Sequence, residues 1–318
     1  MVKPDLPAPV SPLPILIAGP TAVGKSEIAL QLAERINGEL ISVDSMQVYR
    51  GLDIGTAKPS PADRTRVPHH LIDICDLTES FDAAQFARLA RRAVAEIHSR
   101  GHVPILCGGT GLYFKAFLEG LDEMPSANAQ LRTELEATPL ETLLKELQVR
   151  DPVTYKKIDK KNPRRVIRAV EVMRLTGKPV SKVQTSKFKV QGPKPAVLCL
   201  TRQPDDLRRR IDIRVDEMFR RGLVEETREL LKHGLEQNKT AMQAIGYRQV
   251  VERLRSERPL ADTIELVKAR TRQFAKRQLT WFRAQRNLEW TELNPDESPG
   301  GFAANLLRKF KTNFPVAV

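Results

Sequence analysis

Apolar residues first gather in the run Pro14 to Ala18 (Pro-Ile-Leu-Ile-Ala), which stops at a glycine. A short unbroken apolar run of this kind predicts a strand buried on both faces of a parallel sheet. Glu27 to Ile36 follows with Ile28, Leu32 and Ile36 at helical spacing, so a helix is expected there. Leu40 to Val43 reads as a second strand ending at Asp44. Phe81 to Arg100 reads as an amphipathic helix with Phe86, Leu89, Ala93 and Ile97 inward. Val103 to Cys107 predicts a third strand, followed by the turn Gly108-Gly109-Thr110-Gly111 and another helix. Ala196 to Thr201 and Leu288 to Leu293 supply two later strands. Strands alternating with helices predict an α/β fold with a parallel sheet flanked by helices.

The pattern changes between about Glu119 and Lys194, where strand-like runs vanish and charged helical segments take over. Asn162-Pro163 is a helix start, because Asn caps and Pro suits the first helical position. Val166, Val170 and Met173 keep helical spacing, and Gly177 supplies the left-handed stop. The block 119–194 is expected to be a smaller all-helical insertion domain in a core made of 1–118 and 195–318. Gln191-Gly-Pro-Lys-Pro195 flanks its far end. Met1 to Pro14 has neither a signal-peptide apolar core nor transit-peptide arginines, and is expected to be a frayed tail. No run approaches the roughly 18 apolar residues of a membrane span.

Chemistry enters between the first strand and helix. Gly19, Pro20, Thr21, Ala22, Val23, Gly24, Lys25 and Ser26 satisfy every fixed position of G-x-x-x-x-G-K-[ST], in the required strand-to-helix setting. Backbone amides in such a loop form a nest for phosphate oxygens, aided by the helix N-terminus. Lys25 adds a point charge, and the Ser26 hydroxyl can reach a magnesium ion. The motif reads only phosphate: a nucleotide such as ATP fits, and so does the pyrophosphate of another donor. Asp44 ends a strand at the edge where open α/β sheets bind ligands. It suits a general base, a magnesium-organising acid or a turn cap. Thr110 lies at the same edge, among glycines that permit close approach of a ligand. His69 and His70 lack partners at metal-ligand spacing and are expected to be structural.

The chain has 318 residues, 41% of them hydrophobic, which is enough for a real core. Its three scattered cysteines, Cys75, Cys107 and Cys199, fit a reduced cytoplasmic protein without disulfides or zinc. A net charge of +13 calls for a polyanion. The charge is concentrated in Lys156, Lys157, Lys160, Lys161, Arg164, Arg165 and Arg168, and again in Arg270, Arg272, Lys276, Arg277, Arg283 and Arg286. The second cluster is interleaved with Phe274, Trp281 and Phe282. Two dense basic clusters predict contact with a nucleic-acid backbone. A third group, Arg208, Arg209, Arg210 and Arg214, suits bidentate phosphate contact, and Arg210 and Arg214 have the spacing to close over a donor. A small-molecule kinase would explain the loop and Asp44 but leave the basic clusters idle. A non-catalytic RNA-binding protein would explain the charge but not the intact loop.

Several stretches together resemble the bacterial tRNA dimethylallyltransferases, also called tRNA isopentenyltransferases. They are the phosphate loop, Asp44 to Arg50, Gly55 to Pro59, Val67 to Asp73, Gly108 to Tyr113, Gly246 to Arg248 and Thr271 to Arg283, in family order. The resemblance implies a P-loop NTPase-like core that moves a dimethylallyl group from dimethylallyl diphosphate to N6 of an adenosine. That adenosine lies 3′-adjacent to the anticodon in tRNAs reading codons that begin with U. It implies that the loop holds the diphosphate with Mg2+ and does not use ATP for catalysis. Asp44 would be the general base, and Thr110 would position the acceptor. The segments implied to touch tRNA comprise Asp44, Ser45, Met46 and Gln47; Arg164, Arg165, Val166, Ile167 and Arg168; Gln243, Ala244, Ile245, Gly246, Tyr247 and Arg248; and Arg272 to Leu279, with Arg272, Gln273, Lys276 and Arg277 as its contacts. The helical insertion would grip the anticodon stem-loop of a tRNA bound to a monomeric enzyme.

Overall fold

A computed structural model describes residues 13–120, 125, 128–183, 195–286 and 288–313. Residues 1–12 of the expected tail Met1 to Pro14, and 191–194 of the linker, lie outside them. By internal packing the chain divides into two units, Met1–Leu118 with Gln191–Val318, and Glu119–Val190. The second boundary falls within 184–194, also outside the described residues.

The larger unit is built on six parallel strands in the order β3-β2-β4-β1-β5-β6. They are β1 (Ile15–Ala18), β2 (Gly38–Val43), β3 (His69–His70), β4 (Val103–Gly108), β5 (Val197–Thr201) and β6 (Leu288–Glu292). β1 lies at the centre, with Ile17 beside Cys107 of β4 and Ala18 beside Cys199 of β5. All six residues of β2 are buried, as a strand covered on both faces requires. The two-residue β3 carries too little pattern to announce itself. It pairs with β2 through His69 beside Leu40 and His70 beside Ile41, and His70 also reaches back to Glu39, a buried carboxylate near the start of β2 that holds Arg100 and His102 as well.

Helices cover the sheet, and the same unit also holds α2 (Pro61–Arg66), α10 (Leu223–Lys232) and α11 (Tyr247–Leu254). α1 (Lys25–Arg35) begins two residues before the expected Glu27, because the end of the phosphate loop is itself the first helical turn. With α1, the helices α9 (Pro204–Arg220), α12 (Leu260–Arg283) and α13 (Pro299–Asn313) contribute to one apolar cluster that includes Ile17, Leu32, Ile211, Val267 and Phe302. α3 (Ala83–Ser99) starts at Asp82, whose carboxylate accepts the amides of Ala84 and Gln85. α4 (Gly111–Glu119) follows β4 directly.

The smaller unit is helical throughout its described residues: α5 (Ala129–Ala137), α6 (Leu140–Arg150), α7 (Pro152–Lys157) and α8 (Pro163–Thr176). α8 starts where Asn162 accepts the amide of Arg165 and stops at Gly177, which adopts φ 68°. Leu135, Leu143, Leu147, Val166, Val170 and Met173 form its core. Glu171 is fully buried among them and is satisfied by Arg132 at 2.8 Å, Arg168 at 2.7 Å and the Asn128 amide at 3.1 Å.

Candidate active site

The four central strands all end on one edge, and each delivers a piece of the site there. β1 runs into the phosphate loop, β2 into Asp44, β4 into Gly109-Thr110 and β5 into Arg202. Side chains outside the loop hold its shape. Lys25 Nζ donates to Pro20 O at 2.6 Å, Arg210 Nε to Ala22 O at 3.0 Å, and Arg202 Nε to Val23 O at 2.8 Å. Gln278 Oε1 accepts the Thr21 amide at 2.8 Å. Three loop carbonyls are thus each occupied by a cation, so they repel an incoming anion less while amides remain to bind it. Ala22 sits at φ 62° and Gly24 at φ 107°. Gly24 takes up that conformation without a Cβ penalty, whereas Ala22 stores a little strain, as tight ligand-binding turns do.

The cations around the loop are poorly neutralised. Arg202 pairs with Asp206 at 2.8 Å, but Lys25, Arg210 and Arg214 make no ion pair among the described residues. The Arg214 guanidinium makes one hydrogen bond among the described residues, to Thr56 O at 3.5 Å. Burial lowers the pKa of Lys25 to about 8, with Arg214 adding to the effect and Asp44 opposing it. Burial likewise lowers Arg210 and Arg214. A recess that gathers three cations at a cost in desolvation fits a multiply charged anion that would repay it. Burial pushes the thiols of Cys107 and Cys199 up to about 11 and about 12, so neither is a poised nucleophile.

Asp44 serves two purposes on its two oxygens. Oδ1 accepts the amides of Met46 at 2.8 Å and Gln47 at 3.3 Å, the turn-capping role open to any aspartate there. Oδ2 has no hydrogen bond among the described residues, so a proton acceptor remains. Thr110 Oγ1 accepts the Ser45 amide at 3.2 Å, which leaves its own hydroxyl proton to donate. Gln47 is held by Ser42 and by the carbonyls of Thr56 and Ala57, and it fastens the segment after Asp44 to the 55–59 stretch. Lys58, buried, ties that stretch down through Tyr49 O at 2.6 Å and Asp53 at 2.7 Å. Ser26 is exposed at the start of α1, and its hydroxyl makes no hydrogen bond among the described residues.

Among residues expected to meet RNA, several have side chains that are buried or engaged within the protein. Val166 is fully buried because it belongs to the core of the helical unit. Arg168 is engaged by Glu171 and by Pro125 O at 2.8 Å. Tyr247 is fully buried, with its hydroxyl donating to Glu226 at 2.5 Å and accepting the Gly55 amide at 3.0 Å. Ala244 and Gly246 are buried as well, and Ile167 and Ile245 are half-buried. Arg272 pairs with Asp212 at 2.6 Å. Lys156, Lys157, Lys160, Lys161, Arg164 and Arg165 are exposed on the helical unit. On the larger unit Gln243, Arg248, Gln273, Lys276, Arg277, Arg283 and Arg286 are exposed, and Arg277 lies over the half-exposed Phe274 ring at 5.7 Å. Trp281 and Phe282 pack edge to face, Phe282 in the core, so neither is a free stacking surface. Arg202 is not among the residues expected at the site, and Gln278, expected only within the segment Arg272 to Leu279, joins Thr21 to Gly109. The strand-edge rule that found Asp44 applies equally to Arg202, one residue beyond β5.

Comparison with known proteins gives a consistent result. A sequence-family model described as IPP transferase matches residues 47–285. A tRNA dimethylallyltransferase 1 from Citrifermentans bemidjiense is 44% identical over 293 residues, covering 92% of this chain and 94% of its own. A tRNA dimethylallyltransferase from Halorhodospira halophila is 48% identical, covering 86% and 90%. The crystal structure of a tRNA isopentenylpyrophosphate transferase from Bacillus halodurans superposes with a TM-score of 0.67 at 39% identity, over 94% of this chain and 97% of that one. A eukaryotic dimethylallyltransferase captured acting on tRNA superposes at 0.78 with 30% identity, over 97% and 81%.

Proposed function

This chain belongs to the tRNA dimethylallyltransferase family and is a tRNA-prenylating enzyme, and we propose that it does so by direct displacement at the strand edge described above. The donor is dimethylallyl diphosphate, and the acceptor is N6 of the adenosine 3′-adjacent to the anticodon in tRNAs that read U-starting codons. The observation that carries this reading is the pairing of a cationic phosphate cradle with an unoccupied carboxylate oxygen, Asp44 Oδ2, beside it.

An adenine amine is a weak nucleophile, because its lone pair is delocalised into the ring. Its proton passes to Asp44 Oδ2 as the new C–N bond forms and the C–O bond to diphosphate breaks. The donor carbon is allylic and tolerates positive charge, so cleavage can run ahead of attack. Catalysis then rests on stabilising the departing diphosphate, by the loop amides, Lys25, Arg210 and Arg214. The Thr110 hydroxyl holds the adenine, which must leave its stack to reach the strand edge.

Magnesium suits this site, because it takes few protein ligands and prefers phosphate oxygens and water. Ser26 Oγ fits as its one protein ligand at the loop. When bound there, the ion would neutralise part of the diphosphate charge. The exposed basic residues of α8 and α12 supply the backbone contacts, with the helical unit reading the anticodon stem-loop. The enzyme acts as a monomer in the cytoplasm, without using ATP in catalysis.

An anticodon stem-loop with inosine in place of the target adenosine tests the assignment, since inosine has no exocyclic amine. It should compete with the adenosine stem-loop for binding yet accept no dimethylallyl group. Transfer to the inosine form would refute N6 as the acceptor.

A further inference from the structure

The arginine-bearing helix α12 also reaches into the reaction centre, through Gln278. This side chain is buried. Its Oε1 accepts the Thr21 amide at 2.8 Å, and its Nε2 donates to Gly109 O at 2.9 Å. Thr21 belongs to the phosphate loop. Gly109 precedes Thr110, which in turn holds Ser45 next to Asp44. One carboxamide therefore joins the loop that would hold the donor to the loop that would hold the acceptor.

Their parent strands β1 and β4 are paired, but among the described residues no other side chain hydrogen-bonds to both loops, and the chemistry is specific. A primary amide accepts at one end and donates at the other, as an amide N–H facing it on one side and a carbonyl on the other require. Gly109 lets it approach, since a Cβ there would collide with Nε2. The helix is anchored on either side of the bridge. Trp281 packs against Gly111, and Phe282 meets Phe114 with ring centroids 6.3 Å apart. Lys276 and Arg277, immediately before Gln278, are exposed.

We propose that Gln278 is a positioning residue for prenyl transfer: it fixes the distance between the diphosphate cradle and the acceptor loop, touching neither substrate. Thr21 N–H is spent on this bridge, so the loop grips phosphate with its other amides. The proposal rests on the function assigned above. In-line attack needs reacting atoms about 3–3.5 Å apart, and about 1 Å of slack can cost a hundredfold in rate. Slack also admits water, which captures the same allylic carbon and gives dimethylallyl alcohol, with diphosphate leaving and a proton released to solvent.

The test measures how consumed dimethylallyl diphosphate divides between prenylated tRNA and dimethylallyl alcohol, a ratio independent of the fraction of folded enzyme. Gln278→Met keeps the shape without either hydrogen bond. Its single-turnover transfer should fall about tenfold to a hundredfold, with a raised share of alcohol and little change in KM for the donor. Gln278→Glu should be impaired at pH 8. It should recover relative to wild type as pH falls, because the neutral acid again accepts from Thr21 and donates to Gly109. Wild-type partition in both variants, or a flat Gln278→Glu to wild-type ratio across pH, would overturn the proposal. Wild-type enzyme that prenylates no tRNA would instead defeat the functional assignment itself.

Discussion

Asp44 Oδ1 accepts the Met46 amide at 2.8 Å, so the carboxylate that faces the site also builds the turn it stands on. The two roles separate by substitution. Asp44→Asn keeps the capping oxygen but not the base, so it should fold and bind tRNA normally while kcat falls by about 10²–10⁴. Asp44→Ala should lose as much activity and, with the turn uncapped, should also raise KM for tRNA. Steady-state kinetics with tRNA as the varied substrate checks both. Weakened tRNA binding in Asp44→Asn would argue that the residue is a contact and not a base.

Lys25 gives a pH dependence with a definite sign. Burial favours its neutral form, and its pKa is lowered to about 8 in the free enzyme. The charged form that attracts diphosphate therefore dominates below pH 8 and is lost above it. Affinity for dimethylallyl diphosphate should weaken as pH rises through about 8, and Lys25→Ala should bind weakly with that inflection gone. Titration of donor binding across pH 6.5–9.5, an interval of about three units around that value, makes the comparison.

Arg214 and Arg210 differ in what they touch. Arg210 supports the loop through Ala22 O, whereas the only hydrogen bond of the Arg214 side chain among the described residues is the long one to Thr56 O. Arg214→Ala should therefore cost chiefly the leaving-group interaction, about 2–4 kcal/mol in kcat/KM for the donor. The thermal midpoint should hold. A fall in stability with unchanged donor kinetics would reverse that assignment.

The helical unit makes a contrasting pair of predictions. Lys161 and Arg165 are exposed, and replacing both with Ala should reduce the slope of log affinity for tRNA against log salt by about 1.5. Glu171 is buried and held by two half-exposed arginines, so Glu171→Ala, which removes their charge-assisted hydrogen bonds, should destabilise the protein by about 2 kcal/mol. Salt titration of binding and chemical denaturation separate the two effects.

Glu39 marks the acid limit of the fold. Burial works to raise its pKa, but hydrogen bonds from Arg100, His70 and His102 hold it down at about 2. An ordinary unfolded glutamate titrates near about 4.3, so this carboxylate adds stability above that pH and loses it as pH falls toward 2. Glu39→Gln should flatten that part of the acid unfolding curve, as followed by circular dichroism between pH 2 and 5, roughly the interval between the two pKa values.

Much of this was legible in the chain because the features are local. The apolar runs of β1 and β4 are short and unbroken, β2 is marked by Leu40, Ile41 and Val43, and the loop between β1 and α1 is a contiguous motif. Asn162 and Gly177 bracket α8 by local capping chemistry alone. What escaped was non-local. Gln278 acts on Thr21 and Gly109, 257 and 169 residues away, and no spacing along the chain announces such a bridge. Val166 and Arg168 read as parts of an RNA-facing segment, yet one fills a core and the other neutralises Glu171, a buried acid whose burial is not visible in sequence. β3 is too short for any periodicity, and its pairing with β2 joins residues about thirty positions apart.

The central claim is that the phosphate loop holds an allylic diphosphate for transfer to tRNA. The most direct measurement incubates the enzyme with unmodified tRNA, magnesium and dimethylallyl diphosphate labelled in its allyl group, beside a parallel reaction containing γ-labelled ATP. Allyl label should appear in tRNA, recovered after digestion as N6-dimethylallyladenosine from the position 3′ of the anticodon, with no phosphoryl transfer. Phosphate transfer from ATP with no allyl label in tRNA would contradict that claim.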